Sequence, residues 1–359
     1  MSRGMFRVGA AIVVVVLVAI VGALLIGDFG VLDPETGVNE VGARSFALIL
    51  AIAAVAGFLT YAGIEYAQTG SVDSISRQFD TRTLVLMPLA IAFNIILGQA
   101  VGTALKIPIY LDSVGTILVG ALAGPVAGAA TGFLTNILWT FVVPPPFNNS
   151  ALAAFAIVAA VIGVLAGVFG RLGWLRPRPN RSYRELAVGA VVAVGLIIGL
   201  SILAFLGYRT IAGDPALAPQ SDEFVFVLLG WLALLLVAGT VVGLLLLLFY
   251  RRDLTAAYVV VAGVVTGIVA AVLSAPIAAN VFGGVTGAGT DFLVAAFEQA
   301  GADIGAATLG QSFISDPIDK VVTFFVVYII LVAMARRTKA RFPQGEALIE
   351  RQEAAEEPA

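Results

Sequence analysis

The sequence predicts an all-α, polytopic bundle of transmembrane helices, about ten spans with the N- and C-termini both cytoplasmic. Three observations lead there. Of 359 residues, 60% are hydrophobic and 12% charged, with a mean hydropathy of +1.03, whereas soluble domains run near 45–50% apolar and about 25% charged. The apolar residues form continuous Ala/Val/Leu/Ile runs, not the period-two alternation of a membrane β-barrel. Lys and Arg gather in alternate connecting segments, as the positive-inside rule demands of cytoplasmic loops.

A bilayer core takes about 20 mostly apolar residues per helix. Span one, 8–26, follows Arg3 and Arg7. Its run exceeds the roughly 7–15 residues of a signal-peptide core and shows no clear small-x-small cleavage site before Asp28, so it reads as a retained helix. Span two, 45–66, completes a leading pair (1–66), and residues 67–83 form a charged cytoplasmic connector. Span three, 84–105, opens the main body (84–335). Spans four, 109–124, and five, 126–143, are divided at Gly124-Pro125. After span six, 150–170, the Arg-rich segment Arg171 to Arg184, with Pro177 and Pro179, joins the two halves of the body. Spans seven, eight and nine cover 185–206, 224–249 and 255–274, and span ten covers 317–335. The outer segment 275–315 is rich in Gly (Gly283, Gly284, Gly287, Gly289) and holds a moderately apolar stretch, Phe292 to Ala300. It reads as a lid or interfacial helix, or else as an ordinary packed loop; as a crossing it would place Arg336, Arg337 and Lys339 outside. The tail, 336–359, is charged, has no apolar face, and reads as a solvated end.

With the N-terminus inside, 16 of the 20 Lys and Arg residues fall on the cytoplasmic side. Only Arg44, Lys106, Arg209 and Lys320 lie outside, where acids such as Asp28, Asp33, Glu35, Glu40, Asp214, Asp222 and Glu223 collect. An odd number of spans breaks this agreement beyond residue 124, which is the argument for the Gly124-Pro125 hairpin.

The absences narrow the function. The chain has no Cys and no His, which removes disulfides, imidazole-based metal sites and every Ser-His or Cys-His mechanism. It has no Gly-x-x-x-x-Gly-Lys-Ser/Thr phosphate loop, no His-Glu-x-x-His and no Gly-x-Ser-x-Gly with partners. Acids stand singly at predicted helix ends. The sequence therefore reads as a non-enzyme with no catalytic residue, cofactor, metal or nucleic-acid partner.

Polar residues inside spans are costly and face a bundle interior or a wet cavity. They are few here: Asn94 and Gln99 in span three, Asn136 in span five, Asp112 at the outer start of span four, and Asp316, Asp319 and Lys320 at the outer start of span ten. All fall at mid-depth or in the outer half. Tyr110, Trp139 and Phe147 lie at comparable depth. Together they are what an outward-opening pocket for a small solute needs. Each also has a structural reading: interhelical hydrogen bonding for Asn94 and Asn136, an interfacial belt for the aromatics, and the helix dipole for the three acids. On a helix Asp316 and Lys320, four apart, can pair; Asp319 and Lys320, adjacent, point about 100° apart and are not expected to. Gly120, Gly124, Gly128 and Gly132, like Gly98 and Gly102, permit close helix approach, within the bundle or to a partner.

The run Ile109-Tyr110-Leu111-Asp112-Ser113-Val114-Gly115-Thr116, then Gly124-Pro125-x-x-Gly128-x-x-x-Gly132-x-x-x-Asn136, resembles the substrate-binding S components of energy-coupling factor (ECF) transporters. Ala275-Pro276 through Gly283-Gly284-Val285-Thr286-Gly287, and Ser315-Asp316-Pro317-Ile318-Asp319-Lys320, resemble the same group. The likeness covers roughly 84–335. It implies a plasma-membrane, multi-pass subunit that captures a vitamin or similar micronutrient from outside. The subunit then docks on a membrane coupling subunit driven by two cytoplasmic ATPases. Such subunits typically have six spans, so spans one and two have no counterpart and spans seven and eight look inserted. The family's Ala-x-x-x-Ala docking pattern appears here only as Ala90-x-x-x-Asn94-x-x-x-Gly98. Two other classes compete with this expectation: a self-sufficient secondary transporter in which Asp112, Asp319 or Glu65 carries coupling protons or Na⁺, and a membrane sensor or scaffold.

Overall fold

The computed structural model describes residues 3–26, 40–104, 110–149, 152–212, 241–250, 252–287, 290–299 and 301–349. Among them the chain is helical, with no strand. α1 (Arg3–Ile26) and α2 (Glu40–Thr69) pack on each other as the leading pair. The short α3 (Asp73–Ser76) precedes α4 (Thr81–Gly98), which continues as a π-helical stretch, Gln99–Ala104. α5 (Val114–Ala123), α6 (Pro125–Phe141) and α7 (Ala156–Arg171) follow, α7 led in by a 3₁₀ turn, Leu152–Phe155. The second half holds α8 (Tyr183–Ala212), α9 (Val241–Tyr250), α10 (Thr255–Phe282), α11 (Asp291–Gln299) and α12 (Ile304–Ala333). α13 (Arg336–Lys339) and a last 3₁₀ turn, Gly345–Leu348, close the described chain.

Among the described residues, six helices are long and apolar enough to cross a membrane: Phe6–Ile26, Leu48–Thr69, Thr81–Val101, Leu152–Arg171, Tyr183–Ile202 and Thr255–Phe282. The chain is thus a helical membrane protein. α5, α6 and α12 match predicted spans four, five and ten in place but not in character. At about 1.5 Å per residue, α5 is roughly 15 Å long, about half a bilayer core. It is apolar all round because it is buried all round, packed against α4, α6, α7 and α12. Most of span eight, 224–240, lies outside the described residues, as do the acidic loops at 27–39 and 213–223, Lys106 and residues 350–359.

The Gly stripe is spent inside the molecule. A Cβ on Gly120 would meet the Gly163 carbonyl, one on Gly128 would meet Gly120, and one on Gly132 would meet the Ala159 carbonyl. α5, α6 and α7 are therefore in backbone contact, and this stripe is closed to a partner protein. The face Ala90, Asn94 and Gly98 of α4 is likewise buried; Gly115 fits against the Ala90 carbonyl. A second small-residue pair, Gly263 and Gly267, seats α10 on Val321 and Pro317 of α12.

The cation-rich segments converge on one end of the bundle. The Arg82 guanidinium donates to the Arg341 carbonyl (3.0 Å), the Arg178 N–H to Asp253 (3.0 Å), and the Arg252 guanidinium to the Arg181 carbonyl (2.9 Å). The Gly124-Pro125 turn lies there too, where the Val126 N–H donates to Gln78 Oε1 (2.8 Å).

The expectation of a solvated tail is corrected for residues 336–349. The Gln344 N–H donates to the Leu122 carbonyl (2.8 Å), and Leu348 is 1% exposed within the main core. Its large apolar residues, Phe342, Leu348 and Ile349, stand in a polar stretch broken by Pro343 and Gly345, so no amphipathic face registers, yet Leu348 is buried and Phe342 packs against the main core. Leu348→Ala is expected to destabilise the protein by about 2–5 kcal/mol, as buried Leu truncations do. An unchanged melting temperature in detergent would show that this segment does not support the bundle.

Candidate functional site

The site is built where residues 110–113 cross α12. Leu111 adopts φ 50°, a left-handed conformation uncommon for a side chain of this kind. In that turn two successive backbone N–H groups, of Tyr110 and Leu111, donate to Asp319 Oδ1 at 2.9 Å each. Asp319 Oδ2 accepts from the Lys320 ammonium, which also donates to Ser113 Oγ (3.0 Å) and lies 3.8 Å from Asp112 Oδ1. Asp319 is fully buried and Lys320 nearly so. One aspartate thus fastens the 110–113 turn to α12.

Two expectations are corrected here. Asp319 and Lys320, although adjacent, are paired: the flexible four-carbon stem of lysine folds its head back over the neighbouring carboxylate. The acids of α12 are not at a helix N-terminus either. α12 begins at Ile304, capped by the Asp303 side chain on the Ala306 N–H, so Asp316 and Asp319 sit mid-helix, beyond the reach of the terminal dipole.

Beside this cluster, at the end of the bundle away from the converging cations, is a cavity. Its polar wall comes from Asp112, Ser113, Ser274, Gln311, Asp316 and Lys320, its apolar wall from Trp139, Phe155, Val158, Ile162 and Ala270. The space open to water-sized groups is ≈ 120 Å³, several times the roughly 10–15 Å³ a cavity needs to hold one water, so it admits a small solute. Asp316 Oδ2 accepts from Ser274 Oγ (3.0 Å), which bridges α12 to α10. Tyr110 and Thr290 share a hydroxyl hydrogen bond (2.7 Å) at its outer margin.

Of the residues singled out from sequence, Tyr110, Asp112, Asn136, Trp139, Asp316 and Lys320 line this cavity together. Asn94, Gln99 and Asp319 do not. Asn94 is a clamp: its amide donates to Thr116 (2.9 Å) and Thr135 (3.1 Å) and its carbonyl accepts from the Gly115 N–H (2.7 Å), tying α4 to α5 and α6. Gln99 Oε1 is buried with no hydrogen-bond partner among the described residues. Trp139 donates from Nε1 to the Phe147 carbonyl (2.8 Å) and its ring lies against Gly98, whereas the Phe147 side chain is exposed and does not line this cavity.

The residues missed are Ser274, Gln311, Ser312, Phe155 and Asp291. A signal for two of them was present. Gln311, Ser312, Ser315, Asp316 and Asp319 recur at helical spacing, a polar stripe that is hidden once 275–315 is read as a loop. Glu65, a candidate ion carrier, is committed elsewhere: it holds Arg7 (3.2 Å) and accepts from the Ser74 N–H (2.9 Å) and hydroxyl (2.6 Å), joining α1, α2 and α3. No protein-family model, curated protein or solved structure matches the chain.

Proposed function

We propose that the chain is a solute-capture subunit of the plasma membrane, of the ECF S-component kind. In this reading it has about ten spans with both termini cytoplasmic. It takes a small micronutrient from outside and hands it to a membrane coupling subunit powered by cytoplasmic ATPases, without catalysing a reaction itself. The observation that carries the reading is the cavity. It has an apolar wall, a few convergent polar groups and a place at the cation-poor end, the arrangement expected of a ligand site facing outside. Mass spectrometry of the purified protein is expected to find one co-purifying small molecule, and cells lacking the chain are expected to lose its uptake. A protein that carries no solute and supports no uptake with coupling partners present overturns the proposal.

The buried charges in mid-α12 favour a second reading, an ion-coupled transporter working alone, because intramembrane carboxylates mark ion paths. Liposomes containing only this chain distinguish the two. Uptake that collapses with the proton or Na⁺ gradient selects the second, and uptake only after the coupling module and ATP are supplied selects the first.

A further inference from the structure

Resting on the capture reading, we infer that the solute is a compact organic cation, an amine on a small apolar frame, held against Asp316. The cavity wall carries three acids, Asp112, Asp291 and Asp316, and one cation, Lys320. Lys320 is already engaged by Asp319 and Asp112. Asp291 is engaged too, accepting from the Thr286 hydroxyl (2.8 Å) and the Thr286 and Gly287 N–H groups (3.1 and 2.7 Å).

Asp316 is different. It is 6% exposed and its hydrogen-bond partners are neutral hydroxyls, Ser274 at 3.0 Å and Ser315 at 3.4 Å; the cation that acts on it, Lys320 one turn along α12, is in contact with Asp319 and Asp112 instead. The other buried acids among the described residues, Glu65 and Asp319, each contact a cation. Burying a carboxylate that must share its counter-charge with two other acids is costly, and a solute in the cavity beside Asp316 would supply a cation of its own.

The rest of the wall sets the class of that cation. Trp139 and Phe155, with Leu152, Val158 and Ile162, offer aromatic and aliphatic surface, which suits a desolvated ammonium on a hydrocarbon frame and adds cation–π attraction. A metal ion fits poorly: the chain has no His or Cys, and no group of three acids is arranged to hold one among the described residues. A space of ≈ 120 Å³ limits the solute to a small molecule.

The test uses the purified full chain in detergent, freed of co-purified solute, with benzylamine, benzyl alcohol and benzoate as matched probes of positive, zero and negative charge. Calorimetry is expected to show benzylamine binding at least tenfold more tightly than benzyl alcohol, with no binding of benzoate. Asp316→Asn is expected to abolish that tenfold preference. The comparison of charges needs no variant, so it stands even if Asp316→Asn misfolds. Equal or tighter binding of benzyl alcohol or benzoate overturns the cationic class and leaves solute capture intact. Competition by K⁺ as strong as by benzylamine overturns the organic part, and failure of all three probes overturns the inference. The capture reading is judged separately, by the solute that co-purifies.

Discussion

Lys320→Met is expected to be among the most destabilising single substitutions in this protein, at about 3–5 kcal/mol, the range for breaking a buried ion pair from one side. The lysine ammonium contacts Asp319 and Ser113 and lies near Asp112. Methionine fills much of the same volume, so the loss is one of charge more than packing. Asp319 would stay buried with only two backbone N–H donors, and Asp112 would lose its cation. Replacing a whole buried pair by neutral groups is often nearly harmless, whereas removing one partner is not. Adding Asp319→Asn to Lys320→Met is therefore expected to recover a large part of the loss, because the asparagine carbonyl still accepts from Tyr110 and Leu111. The measurement is the melting temperature of the single and double variants in one detergent. A double variant no more stable than Lys320→Met would show that the two charges are not coupled.

How far the sequence revealed this site depends on which physical signal each residue emits. Tyr110, Asp112, Asn136, Trp139, Asp316 and Lys320 were found because a polar or aromatic group within an apolar run is costly enough to need a reason. Topology then put them at one depth, and they line one cavity. The start of α12 was not legible, because hydropathy marks a helix by its apolar length. Residues 304–316 form a helix whose polar stripe faces protein, so no apolar run announces it. Hydropathy consequently puts the acids at a helix end, where the dipole would do what Lys320, Ser274 and two backbone N–H groups do in the fold. The folded 336–349 segment was missed for a related reason, since Leu348 is buried by residues distant in sequence. Asn94 shows the limit of the argument from polarity. A clamp and a ligand contact look alike in sequence, and only its hydrogen bonds to Gly115, Thr116 and Thr135 separate them.

The small-residue surfaces yield the other large effect. Gly163→Val is expected to destabilise the bundle by about 3 kcal/mol or more, the upper end of overpacking costs. A Cβ at Gly163 would fall on the Gly128 carbonyl group and 2.6 Å from the Ala129 nitrogen. These atoms are backbone, so no rotamer change makes room; α6 and α7 would have to separate. The same two helices carry Asn136 and Trp139 on one side of the cavity and Val158, Ala159 and Ile162 on another. Separation there would also widen the site and weaken solute binding. Gly199→Ala in α8 is the matched control. Nothing lies within 4 Å of a Cβ there, so helix propensity alone decides and the change is expected to be neutral or stabilising by up to about 1 kcal/mol. If the two variants melt together, glycine is not what lets α6 and α7 approach. A Gly163→Val protein that melts early and loses its co-purified solute, beside an unaffected Gly199→Ala protein, would tie helix contact to solute binding through one stripe of backbone.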